Sequence, residues 1–218
     1  MRIVGIQTSK VEKIEATGTG EWWDKTWETG FFKTTVTGPQ WLAYGGFRGD
    51  AQADRINHGG VDKAVCVYPV EHYPHWINQL GRGMNAGAFG ENLTTKGLLE
   101  TEVCVGDIFE IGGARLQISQ PRQPCWKLAR RWQRKDLTAL VERTGKTGFY
   151  FRVLEHGYVE NEESFSMIER PFPDWTIERC NKVMHHQKKD AEASRQLASE
   201  CTALAGSWKD ALWARANR

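Results

Sequence analysis

From residue 1 to about 170 the chain is a succession of short apolar runs rich in Val, Ile, Phe and Tyr, each broken by a glycine cluster. Such spacing admits β-strands joined by turns far more readily than long helices. The runs predict strands at Ile3–Gln7, Phe31–Val36, Lys63–Tyr68, Val103–Ile111, Arg115–Gln120, Gly148–Leu154 and Ser164–Glu169. Many short strands with few helices favour a closed or nearly closed barrel, because closure removes unpaired edges. Two helical stretches interrupt the pattern. One is Glu71–Gln79, where Pro74 is tolerable only in the first turn, and the other, as one or two helices, is Trp126–Arg143, with Gly145 placed as its C-cap.

After Pro171 and Pro173 the composition turns to helix formers, which places a boundary near residue 172. Residues 1–172 read as a mainly β domain and residues 173–218 as a small C-terminal three-helix domain, with helices at about 176–187, 189–203 and 207–216. Thr176 and Ser207 are the expected N-caps, and Ser207-Trp208-Lys209-Asp210 matches a capping box. A bundle this short buries little apolar area by itself.

Charge narrows the function. The chain has 29 Lys and Arg against 27 Asp and Glu, so a net +2 is too small to imply a polyanion such as nucleic acid as partner, and any anion site must be local. Five cysteines, odd in number and never in a C-x-x-C pair, read as free thiols in a reducing cytoplasm. The N-terminus lacks the apolar core of a signal peptide, and no apolar run reaches membrane-spanning length, so no membrane association is expected.

The most informative stretch is Gln120-Pro121-Arg122-Gln123-Pro124-Cys125-Trp126-Lys127-Leu128, which leaves a predicted strand and opens a predicted helix. Two prolines stiffen the approach to one cysteine. At a helix N-terminus the free N–H groups and the dipole favour negative charge on sulfur, and Arg122 and Lys127 add positive charge beside it. A thiolate is both a nucleophile and a soft metal ligand, so the local chemistry leaves covalent sulfur transfer and metal ligation equally open. A buried, inert thiol is the plain alternative.

Three weaker signals accompany it. His58-Gly59-Gly60 stands in a polar stretch with Arg55 and Lys63, where paired glycine N–H groups and nearby cations suit a phosphate, although an ordinary turn explains it as well. In Phe89-Gly90-Glu91-Asn92-Leu93, Asn92 has an amide able to donate to and accept from a heterocycle edge. Lys33 lies in an apolar-aromatic run and points either to solvent or into a site. Gly145-Lys146-Thr147 resembles the end of a P-loop but has Leu140 where the earlier glycine is needed, and Gly81-Arg82-Gly83 follows a helix rather than a strand. His72 and His75 lack a third metal ligand and read as surface histidines.

Together, His58-Gly59-Gly60-Val61-Asp62-Lys63-Ala64-Val65, Phe89-Gly90-Glu91-Asn92-Leu93 and Gln120 to Leu128 resemble, in order, the motifs of bacterial YiiM-type MOSC proteins, and Gly49-Asp50-x-Gln52-Ala53-Asp54 resembles the segment before His-Gly-Gly there. The resemblance covers essentially the whole chain, the three-helix tail included. It implies a MOSC-type β-barrel whose positively lined pocket takes the molybdenum cofactor, molybdenum held on a pyranopterin dithiolene; pyridoxal phosphate is not expected. Cys125 matches the expected metal ligand and catalytic residue. Lys33, Arg55, His58, Gly59, Gly60, Lys63, Asn92, Arg122 and Lys127 are the expected cofactor contacts.

Relatives in this family reduce N-hydroxylated compounds, so the resemblance implies an N-hydroxyl reductase that detoxifies base analogues such as 6-hydroxylaminopurine. The chain carries no flavin or nicotinamide fingerprint, which implies a separate electron-donating reductase. Two rivals stand beside this reading: a sulfur carrier with a persulfide on Cys125, and a non-enzymatic binding module whose tail docks a partner. Ten tryptophans leave room for an aromatic homodimer interface.

Overall fold

The computed structural model describes residues 1–217. In chain order the strands and helices are β1 (Arg2–Thr8), β2 (Glu12–Ile14), β3 (Trp27–Thr29), β4 (Thr34–Thr35), β5 (Gln40–Ala43), β6 (Gly46–Phe47), α1 (Arg55–His58), β7 (Val65–Pro69), α2 (Tyr73–Leu80) and β8 (Leu93–Lys96). They continue with β9 (Ile108–Ile111), β10 (Ala114–Pro121), α3 (Trp126–Arg131), α4 (Leu137–Thr144), β11 (Phe149–Glu155), β12 (Gly157–Val159), β13 (Ser166–Glu169), α5 (Ile177–Asn181), α6 (Ala191–Glu200) and α7 (Gly206–Ala216).

Eight strands form one sheet in the order β13-β9-β10-β11-β7-β8-β1-β4, antiparallel except where β7 runs parallel to β8. The sheet curls into a half-barrel. Its two ends meet where Ile3 N donates to Glu163 O at 2.9 Å and Phe165 N to Met1 O at 3.1 Å, so β1 also satisfies part of the chain entering β13. Two small sheets, β12-β5-β6 and β2-β3, flank it. Among the described residues no helix is long and apolar enough to cross a membrane.

The expected barrel class holds, but several strands are shorter than the apolar runs suggest. Of Phe31–Val36 only Thr34–Thr35 pair. The preceding amides find local acceptors instead, Phe31 N on Thr29 Oγ1 and Lys33 N on Phe31 O, which turns this segment out of the ladder. Residues 103–107 are likewise drawn out of the expected strand, because the buried Asp107 carboxylate accepts from Cys104 N and from Arg170, and Gly106 takes φ +93°. Lys63 belongs to a 3₁₀ turn, Val61–Lys63, rather than to β7.

The tail packs on the barrel, not only on itself. Trp175, Ile177, Leu197, Trp208 and Leu212 share one apolar cluster with Ile118, Phe149 and other strand residues. Contact with a preformed face supplies the burial that a bundle of this length lacks. Thr176 caps α5 as expected, its Oγ1 accepting from Arg179 N at 3.0 Å. Ser207 does not cap α7: the N-cap is Ala205, and Ser207 lies inside the first turn. All five cysteines are free.

A second apolar cluster, including Phe31, Tyr68, Trp76, Phe89, Leu128 and Leu137, seats α2, α3 and α4 on one side of the sheet. This cluster fixes the height and tilt of α3, and with it the position of Cys125.

A cationic cleft around Cys125

The β10–α3 connection carries the chain from the sheet to the mouth of a cleft with about 570 Å³ of free space, part of it open to solvent. Arg122 N is anchored on Gly148 O at 3.0 Å, and Cys125 is the N-cap residue of α3 with extended φ of −114°. Its side chain is half-buried and makes no capping hydrogen bond, which leaves the sulfur free to face a ligand. With α3 only six residues long, the positive potential here comes chiefly from side chains rather than a helix dipole.

Seven of the residues singled out from the sequence converge on this cleft: Lys33, His58, Lys63, Asn92, Arg122, Cys125 and Lys127. Arg55, Gly59 and Gly60 do not line it. Gly59 spends its N–H on Arg55 O at 3.2 Å, closing the short helix α1, so the expected pair of converging glycine amides does not form; Arg55 itself is exposed.

Arg122 is the unusual group. It is 5% exposed, its Nη2 donates to Phe89 O at 2.5 Å, and its Nη1 is buried without a partner. Glu91 is the carboxylate of that turn, but its oxygens already accept from Gly87 N, Phe89 N, Tyr73 Oη and Thr94 Oγ1. It fixes the Phe89 carbonyl and so aims Arg122. Neither Arg122, Lys63 nor Lys127 forms an ion pair among the described residues. A buried charge without an ion pair and with a free N–H is stabilised by an acceptor, most favourably an anion.

Lys33 is different: it reaches inward and is spent on Asp50, both side chains being almost wholly buried. The same Asp50 carboxylate accepts from Asn92 Nδ2 at 2.9 Å, from Gln52 Nε2 at 3.2 Å and from Ser9 N at 2.9 Å. Asn92 Oδ1 accepts from Cys66 N at 3.1 Å, so the Asn92 amide holds the wall together and has little capacity left for a heterocycle. Cys66, Gln52, Phe31 and Tyr150 are wall residues that sequence reasoning did not single out, and Asp50 stands behind the wall as the partner of Lys33 and Asn92. The only signal was the Gly49-Asp50-x-Gln52 segment. Burial pushes the Cys66 thiol up, which marks it as the inert thiol of the two in the cleft.

His58 is held well below its ordinary value, at about 4, first by burial and then by the Arg122 and Lys127 charges. It is therefore a neutral imidazole with a lone pair at neutral pH. A proton that the unfolded chain accepts near 6.5 is refused by the fold until about 4, so this contribution to stability is complete above 6.5 and is lost as pH falls toward 4. His58→Gln should lessen the drop in melting temperature across that window, measured by calorimetry. Part of the drop will remain, since burial also lowers His185 to about 4.

The surface placement expected for His72 does not hold. It is 6% exposed, with Nε2 2.6 Å from Glu100 Oε2, while Glu100 also accepts from Gly148 N at 2.7 Å. His72 thus braces the β11 end of the site.

Among the described residues no group of three or more His, Cys, Asp or Glu side chains is arranged to hold a metal ion. The cleft offers one accessible thiol, an unpaired guanidinium, two lysines and a neutral imidazole. That donor set suits a metal that brings most of its ligands with it on an anionic organic carrier, and it fits the molybdenum cofactor.

Comparison with known proteins agrees with this geometry. The MOSC domain is matched over residues 54–166 and the YiiM-like, 3-alpha helix domain over residues 175–215. The uncharacterised YflK of Bacillus subtilis (strain 168) is 44% identical over 99% of this chain and 95% of its own. The crystal structure of YiiM from Geobacillus stearothermophilus superposes with a TM-score of 0.82 at 38% identity, covering 99% of this chain and 98% of that one. A protein named reductase from Gibberella moniliformis (strain M3125 / FGSC 7600) is 34% identical over 79% of this chain, which spans 31% of that longer protein. The chain belongs to the MOSC-domain family, with a YiiM-like 3-alpha helix domain as its tail.

Proposed function

We propose that this protein is a molybdenum-cofactor-dependent oxidoreductase that reduces N-hydroxylated compounds, 6-hydroxylaminopurine-type base analogues among them, in the cytoplasm. The observation that carries the reading is Cys125 on the rim of a cleft whose buried Arg122 has an N–H without a partner. A relative named reductase supports redox chemistry in this family. In this reading residues 1–172 form the catalytic domain and residues 173–218 buttress it.

When bound, the cofactor supplies removal of oxygen from an N–OH group, in which two electrons and two protons convert N–OH to N–H and water. Cys125 contributes one soft sulfur ligand to the metal. Arg122 Nη1, Lys63 and Lys127 neutralise the phosphate and orient the pterin, and neutral His58 accepts a hydrogen bond from a ring N–H. The Lys33–Asp50 pair keeps the opposite wall rigid. Five free thiols and an electron supply from a second protein fit a reducing compartment.

The test is molybdenum by mass spectrometry and oxidised pterin by fluorescence on protein from a cofactor-competent host, with 6-hydroxylaminopurine turnover driven by reduced methyl viologen. Near-stoichiometric metal and turnover are expected. Protein without metal or pterin, bearing sulfane sulfur on Cys125, would replace this reading with sulfur carriage.

A further inference from the structure

The stretch from Arg122 to Lys135 holds Arg122, Lys127, Arg130, Arg131, Arg134 and Lys135 and no acid, in a chain whose net charge is only +2. Arg122 and Lys127 face the cleft. The others form a ridge along α3 and the turn after it, extended by Arg82, whose Nη2 donates to Gln133 Oε1 at 3.3 Å. Asp136 neutralises Arg134 at 2.6 Å, while Arg82, Arg130 and Lys135 form no ion pair among the described residues.

Aromatic rings hold the ridge in place of acids. The Arg130 guanidinium lies 5.2 Å from the Trp27 ring centre and 4.7 Å from that of Trp126, and Arg131 lies 4.7 Å from that of Phe32. Stacking fixes a guanidinium without cancelling its charge. Trp126 is itself 52% exposed, directly after Cys125 in the chain. Exposed Trp beside immobilised Arg is the composition of an interface centre.

We infer that this ridge is the docking surface for a small acidic electron-carrier protein. The inference rests on the reductase reading, which consumes two electrons per N–OH bond broken and has no flavin or nicotinamide motif in the chain to supply them. Position favours it: Cys125 is the N-cap of α3, whose six residues rise only about 9 Å, so a carrier seated on the ridge sits within a short reach of the cleft. Charge selects the carrier. A second copy of this chain, pairing the same face across a two-fold axis, would set cations against cations. An extended polyanion gains little from a short ridge on a nearly neutral protein.

The experiment measures calorimetric binding of purified flavodoxin, an acidic FMN-carrying electron carrier, at low and high salt, with wild type and an Arg130→Glu, Lys135→Glu double variant. Turnover is followed in parallel with reduced flavodoxin and with reduced methyl viologen. The double variant should bind flavodoxin at least about tenfold more weakly at low salt, wild-type affinity should fall with salt, and methyl viologen turnover should be unchanged. Equal, salt-insensitive binding by both proteins overturns the inference. So does a ridge that takes up polyuridylate or a second copy instead of flavodoxin, with the double variant abolishing that binding. Absence of methyl viologen turnover in loaded wild type would sink the reductase reading separately, since carrier binding is read without turnover.

Discussion

Cys125→Ala protein should fold with nearly the same melting temperature as wild type and lose 6-hydroxylaminopurine turnover by more than about 100-fold, since even partners one shell beyond a metal are worth 10–100-fold. Stability should hold because the Cys125 side chain caps no amide of α3 and is only half-buried. Cys125→Ser separates the two roles. A serine hydroxyl can accept from an N–H of the first turn, which stabilises the helix by up to about 1 kcal/mol, yet it offers a hard oxygen where a soft sulfur stood. An intact or raised melting temperature with turnover lost in both variants is the expected pair of results. Retained turnover in Cys125→Ala would remove the thiol from the chemistry.

Arg122→Met should act in opposite directions on stability and binding. The guanidinium is buried with one N–H unpaired and no direct ion pair, so an apolar side chain of similar length removes a buried charge and an unsatisfied donor. Gaining about 1 kcal/mol in this way would raise the melting temperature of cofactor-free protein by about 2–4 °C. Affinity for inorganic phosphate, followed by calorimetry on the same cofactor-free protein, should fall about tenfold to a hundredfold, the worth of one hydrogen bond to a charged group. A variant that melts lower and binds phosphate unchanged would mean that Arg122 is a structural strut for the Phe89 turn and nothing more.

Much of the site was legible before any fold was known. The β10–α3 connection could be placed because strand periodicity ends at Gln120 and helix formers begin at Trp126, and both boundaries stand within a residue. A cysteine at that junction, between two cations, stood out as a candidate by its chemistry, which left metal ligation, sulfur transfer and an inert thiol open. The C-cap at Gly145, with φ of +70°, and the cap at Thr176 were readable for the same reason, since each depends on a few consecutive residues.

What stayed hidden depended on partners far away in sequence. His72 looks like a surface histidine until Glu100 is found 2.6 Å from it. Asn92 looks like a ligand contact until Cys66, Gln7 and Asp50 are seen to take its amide. Lys33 was undecided because its counter-ion lies 17 positions on.

The sequence by itself determined the strand-rich body, the helical tail, the short helix opened by Cys125 and the identity of the groups that carry charge. Periodicity, caps and side-chain chemistry are properties of neighbouring residues. Only the tertiary structure decided which charges are neutralised and which remain: Lys33 is cancelled by Asp50, and Arg122 is left with an N–H to offer. Charge compensation and burial are set by contacts between segments that the chain brings together only on folding.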